Sequence, residues 1–187
     1  MIVIGITGTL GAGKGTLVEY LTNEKGFVHY SVRSYLIHEI ERRGLIPNRD
    51  TMTQIANELR AQHSPAFIIE ELYAQAIKQE KNAVIESIRT PGEIDFLKKQ
   101  GKFILVAVDA DPEIRYKRIS LRASETDHIS YETFLSNEKR EFTTTDPNKQ
   151  NLSKCISMAD IVINNNQNVE ALYQAFNKVV REKGIQF

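Results

Sequence analysis

The sequence predicts an α/β fold, a parallel sheet with helices on both faces, and three observations carry that expectation. Short β-branched runs alternate with longer segments of helical period. Capping signals open several of the helical segments. The first strand runs straight into a glycine-rich loop and then into a helical pattern.

Taken in order, the runs Ile2 to Thr7, Phe27 to Tyr30, Ala83 to Glu86, Phe103 to Val108 and Ile161 to Asn164 read as five strands. The alternation of such runs with helical segments implies βαβ crossovers and hence parallel pairing. Ser64-Pro65 and Asp111-Pro112 each set a capping oxygen before a proline at the first helical position, where a missing N–H costs no hydrogen bond. Thr90-Pro91-Gly92-Glu93 adds a capping-box glutamate. A helix beginning at Asp50 carries Arg60, and the last helix sets Val169, Leu172, Tyr173, Phe176, Val179 and Val180 on one stripe that ends at Gly184. Neither an internal repeat nor a low-complexity tract is present. The polar stretch from about Ala123 to Lys149, rich in Thr, Ser and Asp, reads as the one irregular region.

With 187 residues, 41% of them apolar, the chain is long enough for one substantial core and short for two, so residues 1–187 are expected to form one domain. Acidic and basic side chains balance at 24 each, which provides no overall field to hold the chain on nucleic acid or an anionic membrane. Cys155 is the only cysteine, so an internal disulfide and a multi-cysteine zinc site are excluded, and His29, His38, His63 and His128 lack metal-ligand spacing. A cytoplasmic setting is the expectation, since the start Met-Ile-Val-Ile-Gly-Ile-Thr has no basic leader and no run approaches membrane-spanning length. The sequence carries no signal for an oligomeric state.

The chemistry announces itself at Gly8-Thr9-Leu10-Gly11-Ala12-Gly13-Lys14-Gly15-Thr16. A polyphosphate needs many donors converging on a small volume, and residues without side-chain obstruction let successive backbone N–H groups turn inward. The helix that opens near Lys14 contributes unpaired amides and the positive end of its dipole, and Lys14 can reach the β- and γ-phosphates as a point charge. Strand, glycine loop, lysine and helix together read as an ATP-binding phosphate loop, and the fold as the three-layer P-loop NTPase type. Gly15 stands where the general pattern has a hydroxyl, which comes one place later at Thr16. A side-chain ligand for Mg²⁺ is therefore missing from its usual place, and no metal-binding residue is assigned.

This loop resembles that of adenylate kinases and related nucleoside monophosphate kinases, which also have glycine after the lysine. His29-Tyr30-Ser31-Val32-Arg33-Ser34-Tyr35-Leu36 is similar to their acceptor-binding segment, and Val84-Ile85-Glu86-Ser87-Ile88-Arg89 to their third strand and its exit. Val106 to Pro112 with Arg115, Arg118 and Arg122 is similar to the strand and arginine-bearing helix that lead into their lid. Met158 to Asn165 is similar to the final strand of dephospho-CoA kinases, and the whole chain resembles adenylate-kinase-related proteins, including kinase-like domains beside deoxycytidylate deaminases. The deaminase chemistry itself is excluded, because neither a His-x-Glu nor a Pro-Cys-x-x-Cys pattern occurs.

The resemblance implies a strand order 2-3-1-4-5, acceptor-binding helices over about 31–80, and a mobile lid over about 123–149. It implies transfer of the γ-phosphoryl group of ATP, with Mg²⁺ held mainly by phosphates and water, to a nucleoside or deoxynucleoside monophosphate. Dephospho-CoA as acceptor, or a nucleotide-responsive protein without turnover, stand as the alternatives. An aspartate and an arginine of the adenylate kinase acceptor segment are replaced by Ser34 and Ile37, which argues against AMP itself.

Within that frame Lys14, Arg118, Arg122 and Glu86 are the candidate catalytic residues. Arg115, Arg118 and Arg122 share one helix face, and Glu86 ends an apolar strand where it can act as base, orient metal-bound water or pair with Arg89. Ser31, Arg33, Arg60 and Arg89 are the candidate acceptor contacts, with a surface salt bridge as the other reading for Arg60. Lys139 and Arg140 read as solvated surface, Asp109 and Asp111 as structural, and Cys155 as packing.

Overall fold

The computed structural model describes residues 1–122 and 129–187. The five strands are β1 (Val3–Gly8), β2 (Val28–Ser31), β3 (Ala83–Glu86), β4 (Phe103–Asp109) and β5 (Ile161–Asn164). They form one all-parallel sheet, as the sequence pattern predicts, in the order β2-β3-β1-β4-β5 that the family resemblance implies. Each strand lies within a residue or so of its predicted place. The register sets Ile6 beside Glu86, Ser31 beside Glu86, and Gly8 beside Val108, so the candidate residues gather at the carboxyl ends of the strands. That edge is where open α/β sheets bind ligands.

Side-chain alternation along the strands builds two cores. Ile4, Ile6, Val84, Val106 and Val108 face α1 (Lys14–Lys25) and α9 (Val169–Glu182), whose Leu17, Leu21, Leu172 and Phe176 are fully buried. Val3, Ala83, Ile85 and Leu105 face the opposite layer. That layer holds α2 (Val32–Arg42), α3 (Arg49–Gln62), α4 (Phe67–Ile77), α5 (Pro91–Lys99) and α8 (Leu152–Ser157). At about 1.5–3 kcal/mol for each large apolar side chain buried, these two layers supply the main favourable term of folding. Cys155 is buried in the second core as packing, and burial pushes its thiol up to about 12.

Caps form largely where the sequence places them. Thr90 and Glu93 make a reciprocal capping box on α5, and α6 (Pro112–Arg122) starts at its proline. Two expectations are corrected. Ser64-Pro65 does not open a helix at Pro65: the Ser64 hydroxyl accepts from the Ala66 N–H, and α4 begins at Phe67, two residues later. The polar stretch from Ala123 to Lys149 is not irregular throughout, because α7 (Tyr131–Phe142) lies inside it, capped by Ser130. Sparse apolar residues hid that helix, since its inward face is held by Phe134 and by charged side chains. Residues 123–128, the start of the proposed lid, lie outside the described residues.

Candidate functional site

The phosphate loop is built on three close approaches. Gly8 has φ 132°, and a Cβ there would lie 1.9 Å from the Val108 carbonyl oxygen on β4. Gly11, at φ 79°, passes over the Arg115 carbonyl, and Gly13, at φ 101°, has Asn165 Nδ2 at 2.4 Å from an added Cβ. These positions require glycine sterically. Gly15 does not: nothing lies within 4 Å of an added Cβ, and the residue faces the cavity described below.

The loop is braced from behind. Asn165 donates from Nδ2 to the Ala12 carbonyl at 2.8 Å and from its N–H to the Asp109 carbonyl at 2.7 Å. Its own carbonyl accepts from Arg118 Nη1. Asp109 accepts the buried Thr9 hydroxyl, so it touches the loop through Thr9 rather than through Lys14. Ala12 is buried in the first core.

Lys14 Nζ donates to the carbonyls of Gly8 (2.9 Å) and Thr9 (2.7 Å), and Arg89 Nη1 donates to the same Gly8 oxygen at 2.9 Å. Burial, with the nearby Arg89 charge, lowers the Lys14 pKa to about 7. Glu86 accepts from the hydroxyls of Ser31 (3.1 Å) and Ser87 (3.2 Å), so Ser31, Glu86 and Ser87 form one polar cluster, and Arg89 goes to the loop instead of pairing with Glu86. Ser87 adopts φ 67°, a left-handed conformation costly for a residue with a side chain, directly at the strand exit.

These groups line one cavity of about 710 Å³ that runs from the glycine loop to the face of α3. Of the sequence candidates, Leu10, Gly11, Gly13, Lys14, Gly15, Thr16, Arg33, Arg60, Glu86, Arg89, Arg118 and Arg122 reach it. Ser31 sits behind Glu86 and caps α2. Gly8, Thr9 and Ala12 shape the loop from its inner side.

Arg115 is drawn the other way. It is buried against the loop's far side, where it donates to the Ala110 carbonyl and forms a two-bond ion pair with Glu138 of α7 at 2.7 and 2.9 Å. Spacing alone put Arg115 with Arg118 and Arg122, whereas packing assigns it to tie α6 to α7. Arg60 forms neither a surface salt bridge nor a simple exposed clamp. It is 2% exposed, and its Nε and Nη2 bind Glu93 Oε1 while Glu93 Oε2 accepts the N–H groups of Arg89 and Thr90. Its Nη1 is buried with no hydrogen-bond partner among the described residues.

Among the lining residues that the sequence reading did not assign to the site are Arg49, Glu141 and Gln150. Arg49 was legible in retrospect, because 49, 53, 56 and 60 fall on one face of α3. Glu141 and Gln150 carried no local signal, since only the fold of α7 and its following loop brings them there. Of the charged residues lining the cavity, seven are basic and three acidic, on a chain with no net charge. The field is local and suits anionic ligands.

A family model described as an AAA domain matches residues 4–144. A UPF0200 protein of Methanococcus vannielii is 30% identical over 97% of this chain and 96% of its own length. The chain belongs to the AAA-domain family and to the UPF0200 proteins. Among solved structures, the fold is that of a shikimate kinase from Aquifex aeolicus (TM-score 0.58, 15% identity, all of both chains). It is equally that of a gluconokinase from Sinorhizobium meliloti (TM-score 0.59, 16% identity, 96% of this chain and 92% of the other). The family model and the solved structures agree with the P-loop α/β fold that the glycine loop predicts, without singling out the nucleoside monophosphate kinases. No described helix is long and apolar enough to cross a membrane.

Proposed function

We propose that this protein is an ATP-dependent phosphotransferase that passes the γ-phosphoryl group to a nucleoside or deoxynucleoside monophosphate. The supporting observation is the single cavity joining the glycine loop to an arginine-rich wall on α2, α3 and the exit of β3. ATP phosphates fit the loop, where the space over Gly15 is clear and Lys14 stands beside it. Among the described residues no cluster of three His, Cys, Asp or Glu side chains can hold a metal alone, so Mg²⁺ would rest mainly on phosphate oxygens and water. When bound it supplies neutralisation of charge on the transferring group.

Catalysis on this reading is positioning and electrostatics. Lys14 and Arg118 present cations at the loop, Arg122 extends the same row, and Arg33, Arg60 and Arg89 receive the acceptor. A phosphate acceptor arrives with its nucleophilic oxygen already deprotonated and needs no general base. Glu86, tied to two serine hydroxyls, would then orient the site rather than abstract a proton. A shikimate kinase and a gluconokinase share this fold, and Glu86 would be the base if this chain phosphorylated a hydroxyl acceptor. The single-domain organisation, a lid over about 123–149, a small-molecule rather than nucleic-acid partner and a cytoplasmic setting belong to the same proposal.

An ADP-release assay across ribo- and deoxynucleoside monophosphates, with dephospho-CoA as a separate arm, tests it. Turnover with at least one monophosphate, lost in Lys14→Met, is expected. Tight ATP binding without ADP from any acceptor would make the protein a nucleotide-responsive binder instead.

A further inference from the structure

The cavity has a polar corner contributed by three separate segments, close enough to the glycine loop for the charges of Arg49 and Glu141 to act on Lys14. Arg49 opens α3, Glu141 ends α7, and Gln150 lies in the loop before α8. Arg49 Nη2 donates to Glu141 Oε1 at 2.6 Å, and both are largely withdrawn from solvent. Gln150 is held in place by its neighbour, since the Asn151 N–H donates to the Arg89 carbonyl at 2.8 Å and Asn151 Nδ2 donates to the Thr144 carbonyl.

Two atoms in this corner are buried without a hydrogen-bond partner among the described residues: the Arg49 Nε–H, a donor, and Gln150 Oε1, an acceptor. Leaving a buried polar group unsatisfied is costly, and here two of opposite polarity come from side chains lining the same cavity. A further anion would satisfy Arg49 but would be repelled by the Glu141 carboxylate bound to it and would leave the Gln150 oxygen facing a like partial charge. The corner calls for a neutral group that both donates and accepts. Between it and Arg60 lie Thr53, Ala56 and Met52, small or flexible side chains on the same face of α3, which leave room for a flat ring.

We propose that Gln150 and Arg49 read the hydrogen-bonding edge of the acceptor's nucleobase, while its phosphate lies toward Arg60 and Arg89. This rests on the phosphotransferase reading above and adds the residue that sets base preference. Turned either way, the Gln150 amide offers a donor and an acceptor. Sites built to hydrogen-bond a polar group discriminate strongly against analogues that lack it.

The test measures binding by calorimetry and turnover for the wild type and for Gln150→Leu and Gln150→Glu, the second keeping the size if the first folds poorly. The acceptor panel comprises nucleoside monophosphates of every base and ribose 5-phosphate, which has none. In the variants, KM for the preferred monophosphate should rise about tenfold or more. The ranking of bases should flatten or reorder, with KM for ATP and affinity for ribose 5-phosphate unchanged. A uniform loss across the panel, ribose 5-phosphate included, or no change at all, overturns the assignment. Wild-type protein that binds and turns over no monophosphate overturns the parent reading, and this one falls with it.

Discussion

Lys14 and Arg89 converge on one oxygen: the Lys14 ammonium and the Arg89 guanidinium both donate to the Gly8 carbonyl, at 2.9 Å each. Two cations at one acceptor stand close together, and that proximity adds to burial in lowering the Lys14 pKa from 10.5 to about 7. The folded chain therefore binds fewer protons than the unfolded chain between about pH 7 and 10.5. The resulting destabilisation is at full size below pH 7 and is relieved as pH rises through that window. A polyphosphate beside Lys14 acts in the opposite sense, raising its pKa again. ATP binding at about pH 8 should then take up to one proton per site, and affinity should fall as pH rises above 7. Calorimetry in buffers of different ionisation enthalpy measures this directly. Lys14→Met should abolish the uptake, and an unchanged proton count in that variant would place the titrating group elsewhere.

Glycines in the loop differ in what they do. Gly13→Ala meets both a positive φ and Asn165 Nδ2, and is expected to cost about 1–3 kcal/mol of stability in urea unfolding. Gly15→Ala meets nothing and lies in helix α1, so stability should rise by about 0.5–1 kcal/mol. Nucleotide affinity should nevertheless fall in Gly15→Ala, because the added methyl occupies the cavity. Equal effects of the two substitutions on stability would contradict this division.

Arg60 and Glu93 form a buried ion pair whose carboxylate also holds the N–H groups of Arg89 and Thr90. Removing one partner strands the other's charge, so Glu93→Ala should destabilise by about 3–5 kcal/mol. The Arg60→Met, Glu93→Leu double variant should recover much of that loss in denaturation experiments while losing acceptor affinity. A double variant no more stable than Glu93→Ala would mean that the pair's hydrogen bonds to the strand exit outweigh the stranded charge.

Glu86→Gln separates the two acceptor chemistries. With a phosphate acceptor kcat should change by less than about tenfold, whereas a hydroxyl acceptor that needs a base should lose about 10²–10⁴. A pH–rate profile of both proteins checks this, since only a true base removes an acidic limb when replaced.

The exposed Arg140–Asp50 pair at 3.1 Å joins α7 to α3 beside the more protected Arg49–Glu141 pair. Asp50→Asn should alter stability by no more than about 0.5 kcal/mol, and added salt should not enlarge the effect. A larger loss in thermal unfolding would assign the clasp between α7 and α3 to this outer pair.

The sequence by itself determined the strands, their parallel pairing and the glycine loop, because these depend on local pattern: β-branched runs, caps, and spacings within nine residues from Gly8 to Thr16. Resemblance added the strand order, which the sheet displays. Tertiary structure decided what each arginine does. Arg115, Arg118 and Arg122 share a helix face, yet one is buried against Glu138, one grips the carbonyls of Asn165 and Gln167, and one lines the cavity. It also decided that α7 exists and that Glu141 and Gln150 reach the cavity. Those outcomes depend on partners 23 to 105 residues away along the chain, and periodicity records only which face a side chain occupies, not what waits opposite it.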